Sequence, residues 1–144
     1  MSFHPLPDLA ALRGFANECA AALAPGTVLR LIGPMGAGKT TFTRFLLESL
    51  GVRDVASPTY ALHHAYPGGG IFTHVDHWDL YRVKEESELD AAGFWEMLED
   101  AAGLTVIEWP EMIPLSHFPR DRRIVTLEFA AEPRGVRRVD DSSR

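Results

Sequence analysis

A glycine-rich segment between an apolar run and an amphipathic run constrains the fold of this chain more than any other feature. Residues 33 to 40 read Gly-Pro-Met-Gly-Ala-Gly-Lys-Thr, a complete phosphate-loop pattern G-x-x-x-x-G-K-[ST]. Residues 28 to 32 before it are apolar and β-branched, as in a buried strand. Residues 41 to 50 after it have helical apolar spacing, and Gly51 stands where a helix commonly ends. We therefore predict a strand, a phosphate-binding turn and a helix, in that order.

This loop predicts how the chain binds a nucleoside triphosphate. Backbone N–H groups in a glycine-rich turn and at a helix N-terminus attract phosphate oxygens. We expect Lys39 to neutralise the β and γ oxygens and the Thr40 hydroxyl to bind Mg²⁺. Lys84 is the only other lysine, so a lysine that contacts phosphate from this loop is Lys39. The residues expected to bind the nucleotide from the loop are Gly33, Met35, Gly36, Ala37, Gly38, Lys39, Thr40 and Thr41.

Composition limits the size and the partners of the protein. A chain of 144 residues, 46% of them hydrophobic, has room for one core, so we predict one domain over residues 1–132 and a flexible polar C-terminal tail over residues 133–144. The formal charge of −6 disfavours direct nucleic-acid binding, which needs a basic surface. A single cysteine, no apolar run of about 18 residues and no export signal at the N-terminus predict a cytoplasmic protein that does not contact membranes.

The remaining patterns predict an α/β fold, with a mostly parallel P-loop NTPase-like sheet that carries an antiparallel hairpin and is flanked by helices. The predicted elements outside the loop are a helix after Asp8, a hairpin from residues 59–66 and 71–75, helical structure over 85–100 interrupted at Gly93, a buried strand over 104–107 and a final strand over 124–129.

Two further residues are candidates for the metal site. Glu108 directly follows the buried strand 104–107, and the carboxyl ends of strands in open α/β sheets face the ligand, so we expect Glu108 to hold Mg²⁺ through water. Thr59, in the sequence Ser-Pro-Thr, can ligate Mg²⁺ or the γ-phosphate from a switch-like segment. The alternatives are a solvated loop carboxylate for Glu108 and an ordinary strand cap for Thr59.

The densest polar cluster in the chain spans residues 74–82 and has three interpretations. A structural zinc would use His74, Asp76, His77 and Asp79, but it is disfavoured because four ligands within six residues of one strand end cannot all face one ion. In the second interpretation Asp76 or Asp79 is an acid/base group or a carboxylate linked to Mg²⁺, and Arg82 binds an anion. In the third, an Asp–Arg pair only stabilises the end of a strand. The residue types leave the second and third interpretations open.

Taken together, these motifs resemble the TsaE (YjeE) family. The resemblance covers roughly residues 9–129 and rests on four motifs in this order: Gly-Ala-Gly-Lys-Thr-Thr at 36–41, Ser-Pro-Thr at 57–59, Asp-Leu-Tyr-Arg at 79–82 and Ile-Glu-Trp-Pro at 107–110. It implies a Mg²⁺-dependent ATPase that works with TsaD and TsaB in forming threonylcarbamoyladenosine beside the anticodon, and that meets tRNA only through this complex.

The resemblance also implies roles for single residues. Lys39, Glu108 and Asp79 match the catalytic positions, and Thr40, Thr59 and Glu108 match the positions near Mg²⁺. Arg82 and Trp109 match residues expected near the nucleotide. Two departures matter: Pro34 replaces the family's usual acidic residue, and an apparent insertion of three residues leaves Asp76 and Asp79 as alternatives for the family aspartate. We favour Asp79 because it directly precedes Leu-Tyr-Arg.

Three other functions fit the phosphate loop less well. A small-molecule or nucleotide kinase would use the arginines of residues 120–123 as a lid, but no segment is long enough for both a lid and an acceptor site. A regulatory GTPase needs an Asn-Lys-x-Asp element, and the only asparagine is Asn17, which is followed by Glu18. A non-hydrolysing module that docks a partner when ATP binds remains open. We expect slow hydrolysis by the chain alone.

Overall fold

The protein forms one seven-stranded sheet with helices on both faces. The computed structural model describes residues 3–53, 55, 62–68 and 70–140. The strands are β1 Phe3–Pro5, β2 Thr27–Ile32, β3 His63–Tyr66, β4 Val75–Asp79, β5 Leu104–Glu108, β6 Arg123–Ala131 and β7 Arg134–Asp140. The helices are α1 Leu9–Ala22, α2 Lys39–Ser49, α3 Glu86–Ala91 and α4 Phe94–Leu98, and short 3₁₀ turns occupy Pro110–Met112 and Leu115–His117.

The sheet order is β1-β7-β6-β2-β5-β4-β3. The four central strands, β6, β2, β5 and β4, are parallel, so their carboxyl ends meet at one edge. The outer strands pair antiparallel, with β3 on β4, β7 on β6 and β1 on β7. The predicted α/β fold, with a mostly parallel sheet and an antiparallel hairpin, is confirmed.

Alternation along β2 divides the core between the two faces of the sheet. Leu29 and Leu31 pack with α1 and α2, whereas Val28 packs with α3, α4 and the segment after β5. Asp8 caps α1, since its side chain accepts a hydrogen bond of 2.8 Å from the Ala11 N–H. Helices α1 and α2, which cover the face with Leu29 and Leu31, therefore both pack beside the phosphate loop.

The buried Arg122 joins several elements on the amino-terminal side of the sheet. Its guanidinium donates to the main-chain carbonyls of Gly26, Thr27 and Leu98 and to the Thr105 hydroxyl, at 2.7 to 3.1 Å. Burial lowers the pKa of this group, and the acidic Asp100 nearby opposes that shift. Arg122 therefore stabilises the core by donating hydrogen bonds to these main-chain carbonyls.

Three sequence predictions need correction. The flexible tail is wrong for residues 134–140, because Arg134–Asp140 pairs with residues Val125 to Ala131 of β6. Arginines fall on both faces of this strand, since Arg134 and Arg138 share the face of the fully buried Val136 and Arg137 lies on the other, so the sequence shows no hydrophobic alternation. The second strand of the hairpin begins at Val75 instead of residue 71, and β6 extends past residue 129 to Ala131. Within the described residues, no helix has the length and hydropathy needed to span a bilayer.

Candidate functional site: a phosphate loop beside a buried carboxylate

The phosphate loop lies between the end of β2 at Ile32 and the start of α2 at Lys39. The turn begins at Pro34, whose carbonyl accepts a hydrogen bond of 3.2 Å from the Ala37 N–H. Gly36 and Gly38 have φ angles of 81° and 107°, which side-chain-bearing residues rarely adopt. Gly33 also approaches β6 so closely that a Cβ would lie 2.6 Å from the Phe129 carbonyl oxygen. Glycine is therefore required where the sequence motif places it.

Lys39 is held inside the loop. Its Nζ donates a hydrogen bond to the Gly33 carbonyl and lies 3.3 Å from the centroid of the Trp109 ring. Burial lowers the pKa of Lys39, and the carboxylates of Glu108, Glu111 and Asp79 oppose the shift. The backbone of Trp109 is left-handed, with a φ angle of 58°, which is uncommon for a bulky residue. This strained residue is the one whose ring covers Lys39.

A hydrogen-bonded row of three side chains lies at the start of α2. The Thr40 hydroxyl donates to Glu108 Oε1 at 2.7 Å, and His77 Nε2 contacts Glu108 Oε2 at 2.6 Å. Glu108 is 1% exposed and ends β5, while His77 is 1% exposed and lies on the neighbouring β4. The hydroxyl and the carboxylate are hard oxygen donors of the kind that Mg²⁺ prefers. This donor set fits the metal expected from the sequence.

A second carboxylate reaches the same place from the end of β4. Asp79 pairs in register with Glu108, so the two residues lie side by side at the carboxyl ends of parallel strands. The Asp79 side chain accepts a hydrogen bond of 3.0 Å from the Tyr81 N–H. Burial raises the pKa of Asp79, this hydrogen bond opposes the rise, and the nearby Glu108 charge adds to it.

These groups line one open cleft of ≈ 380 Å³. The lining residues are Leu9, Leu12, Met35, Gly36, Gly38, Lys39, Thr40, Thr41, Asp79, Tyr81, Glu108, Trp109 and Arg134. An adjoining cavity of ≈ 280 Å³ shares three of them and continues between the start of α1 and β7, where Leu6, Ala37 and Gly135 also line it. Arg134 stands between the two spaces, with Nη1 3.4 Å from the Gly36 carbonyl oxygen.

The structure brings most of the predicted site residues together. Met35, Gly36, Gly38, Lys39, Thr40, Thr41, Asp79, Glu108 and Trp109 line the cleft, Ala37 lines the adjoining cavity, and Gly33 accepts the Lys39 hydrogen bond. Arg82 is exposed and is not among the lining residues. Thr59 lies outside the described residues.

The polar cluster at residues 74–82 is divided between the two faces of the sheet. Strand β4 keeps its register with β5 through this segment, so Asp76 and Asp79, three residues apart, point to opposite faces. Asp76 accepts a hydrogen bond of 2.6 Å from His63, whose ring stacks on the buried Trp78 at 4.0 Å. Asp79 is thus the aspartate that meets the cleft, whereas Asp76 belongs to the packing of the other face.

Sequence reasoning missed two contributors to the site, Arg134 and His77 in its contact with Glu108. The sequence predicts a flexible tail that includes Arg134, and only the pairing of β7 with β6 brings this residue to the loop. In the sequence, His77 stands out only as a possible metal ligand. The signal that could have found it is alternation, because His77 and Asp79 are two residues apart and share one face of a strand.

A strand–loop–helix with this lysine and threonine, beside a carboxylate on a neighbouring parallel strand, defines a P-loop nucleotide-binding protein. The family model described as "Threonylcarbamoyl adenosine biosynthesis protein TsaE" matches residues 6–139. The chain belongs to the TsaE family.

Known relatives agree with this assignment. The chain is 36% identical over 121 residues to the tRNA threonylcarbamoyladenosine biosynthesis protein TsaE of Bacillus subtilis, covering 83% of this chain and 73% of the relative. It is 35% identical over 112 residues to the TsaE of Synechocystis, covering 76% and 70%. The crystal structure of Bacillus subtilis YdiB superposes with a TM-score of 0.64 at 26% identity, covering 92% of this chain and 80% of that one.

Proposed function

We propose that this chain is a Mg²⁺-dependent ATPase that serves the bacterial formation of threonylcarbamoyladenosine beside the anticodon of tRNA, in a complex with TsaD and TsaB. The observation that carries the ATPase part is the 2.7 Å contact between the Thr40 hydroxyl and the Glu108 carboxylate at the mouth of the phosphate loop. The pathway and the two partners rest on membership of the TsaE family.

The arrangement supports binding of a triphosphate with a divalent cation. Thr40 and Glu108 would hold Mg²⁺, Glu108 through bound water, and the cation would neutralise charge on the phosphate oxygens. Lys39 would leave the Gly33 carbonyl and the Trp109 ring to contact phosphate. Among the described residues, Asp79 and Glu108 are the carboxylates that line the cleft, so we assign to them the orientation of the attacking water.

The adjoining cavity is a suitable place for the base. Its walls combine the apolar Leu6, Leu9 and Leu12 with the guanidinium of Arg134, and it opens directly beside the loop. A flat aromatic base can pack on leucine side chains and stack against an arginine. Adenine is the base implied by the family, and the chain lacks the sequence element that reads guanine.

The same geometry explains why we expect slow turnover without partners. Arg134 is the one arginine among the described lining residues of the cleft, and it lies on the base side beside Gly36. A cation that stabilises charge on the transferring phosphoryl group speeds such reactions about 10³–10⁵-fold, and a partner protein can supply it. The chain's charge of −6 argues against direct binding of tRNA and so supports contact through the complex.

The kinase alternative loses its main support in the arginines of residues 120–123. Arg122 is buried among main-chain carbonyls, and Arg123 pairs with Asp140 at 2.6 Å. The segment also lies at the amino-terminal end of β6, whereas the loop follows the carboxyl end of the parallel strand β2, so its arginines are not placed to act in a lid over the loop.

The test is nucleotide affinity with Mg²⁺ and with EDTA, measured for the wild type, Thr40→Val and Glu108→Gln. Glu111→Gln is the matched control, because Glu111 is a nearby exposed carboxylate outside the lining of the cleft. We expect Mg²⁺ to tighten ATP binding in the wild type and the control, and much less in the other two variants. An equal Mg²⁺ effect in all four proteins would refute the assigned metal site. GTP binding as tight as ATP binding would refute the assigned base preference.

A further inference from the structure

The buried contact between His77 and Glu108 has no role in the functions considered so far. Both side chains are 2% exposed, and His77 Nε2 lies 2.6 Å from Glu108 Oε2. The other carboxylate oxygen, Oε1, accepts the hydrogen bond from Thr40. Each oxygen of the carboxylate therefore has its own donor, and the two donors come from different elements, β4 and α2.

The hydrogen-bonding pattern defines how His77 acts on Glu108. An ionised carboxylate can only accept, so Nε2–H is the donor. His77 Nδ1 is buried and has no hydrogen-bond partner among the described residues. The hydrogen bond from Nε2 to Oε2 fixes the carboxylate and leaves Oε1 to the Thr40 hydroxyl.

We propose that His77 is a positioning residue that holds Glu108 in the orientation that presents Oε1 to Thr40 and the metal. If Thr40 were to bind a cation instead of Glu108, the His77 hydrogen bond would still fix the carboxylate. The place of His77 on the central strand β4 suits this role. Strand β4 pairs with β5 through Asp79 and Glu108, and this pairing fixes the place of His77 relative to Glu108. The expected effect on Mg²⁺ binding rests on the proposed function, whereas the orientation of Glu108 can be observed in the chain without metal or nucleotide.

Three substitutions separate positioning from simple packing. His77→Leu removes the donor, and His77→Asn keeps a polar amide that is too short to reach Glu108. His77→Gln restores an N–H donor close to the place of Nε2. The matched control is His63, which makes an equally short 2.6 Å contact with Asp76 on the opposite face of the sheet. His63→Leu and His63→Gln test the loss of such a pair away from the cleft.

Two measurements decide the proposal. Crystal structures of the variants give the distance between Thr40 Oγ1 and Glu108 Oε1, and titrations give the Mg²⁺ concentration that half-saturates the gain in ATP affinity. Loss of an outer residue that orients a metal ligand typically costs about 10–100-fold in metal affinity. We expect His77→Leu and His77→Asn to raise the Mg²⁺ requirement by about that factor and to lose the Thr40 contact, with ATP binding in EDTA unchanged. We expect His77→Gln and both His63 variants to resemble the wild type.

Several results would overturn the proposal. One is that Glu108 keeps its orientation in both His77→Leu and His77→Asn. Another is that the Mg²⁺ concentration required by both variants stays within about twofold of the wild type. The third is that His77→Gln is as impaired as His77→Leu. If His77→Leu does not fold, the comparison of His77→Asn with His77→Gln carries the test. A wild type that binds no ATP would refute the proposed function, and the Glu108 orientation would then decide the positioning role alone.

Discussion

Replacing Lys39 by methionine should weaken triphosphate binding without weakening the fold. Lys39 would make charge-assisted hydrogen bonds to β and γ oxygens, worth about 1.5–3 kcal/mol each. Its contact with the Trp109 ring, 3.3 Å from Nζ to the centroid, is given up on binding and is worth about 1–2 kcal/mol. The hydrogen bond to the Gly33 carbonyl is given up as well and is worth about 0.5–1.5 kcal/mol. The difference leaves roughly 1.5–2.5 kcal/mol, which is about a 10- to 70-fold loss of ATP affinity.

The stability of the same variant should move the other way. Because burial lowers the pKa of Lys39 from 10.5, the folded protein disfavours the ammonium at neutral pH. In the wild type this penalty is present below the folded-state pKa and is relieved as the pH rises from that value to 10.5. Methionine keeps most of the apolar stem and removes the charge. We therefore expect Lys39→Met to be as stable as the wild type or more stable at pH 7, and to lack the gain at alkaline pH.

Calorimetric ATP titration and urea unfolding at pH 7 and pH 10 measure both effects. Lys84→Met is the matched control, because Lys84 is the other lysine and is exposed. An ATP affinity within about threefold of wild type would refute the role of Lys39, since it corresponds to less than about 0.7 kcal/mol. A clearly destabilised Lys39→Met at pH 7 would refute the view that burial of the charge costs stability.

Three further predictions concern the fold and the cleft. Arg122→Met should lower the free energy of unfolding by about 3–5 kcal/mol, or Tm by roughly 10–20 °C, because several buried carbonyls lose their donor. Arg123→Met, which removes an exposed ion pair, should lower the free energy of unfolding by about 1 kcal/mol or less. Gly33→Ala should lower Tm and ATP affinity together, while Gly14→Ala in α1, where a Cβ meets nothing within 4 Å, should raise stability by about 0.5–1 kcal/mol. Asp79→Asn should stabilise the protein in urea at pH 7, because burial raises the Asp79 pKa, and the gain should fade as the pH drops through that raised pKa; an equal gain at acid pH would contradict this explanation.

The parts of the fold that could be predicted are those in which a local pattern and a tertiary role coincide. The phosphate loop needs positive φ at Gly36 and Gly38 and a lysine at the helix start, so eight residues specify the turn, the strand before it and the helix after it. Glu108 could be placed because the carboxyl ends of parallel strands meet at one edge of the sheet.

What could not be predicted depends on pairing between distant segments. Strand β7 carries arginines on both faces and buries only Gly135 and Val136, and its place in the sheet comes from the ladder with β6. Arg134 reaches the loop only because of that ladder. The choice between Asp76 and Asp79 likewise needed the register of β4, since a shift of one residue exchanges the faces of a strand.

The most direct test of the central claim is phosphate release from ATP by the purified chain, alone and mixed with TsaD and TsaB, with Lys39→Ala and Glu108→Ala measured in parallel. We predict slow release by the chain alone, a marked rise with both partners, and loss of the rise in both variants while their circular dichroism stays that of the wild type. ATP binding without phosphate release in every mixture would contradict an ATPase and would instead support a module that docks its partners when the nucleotide binds.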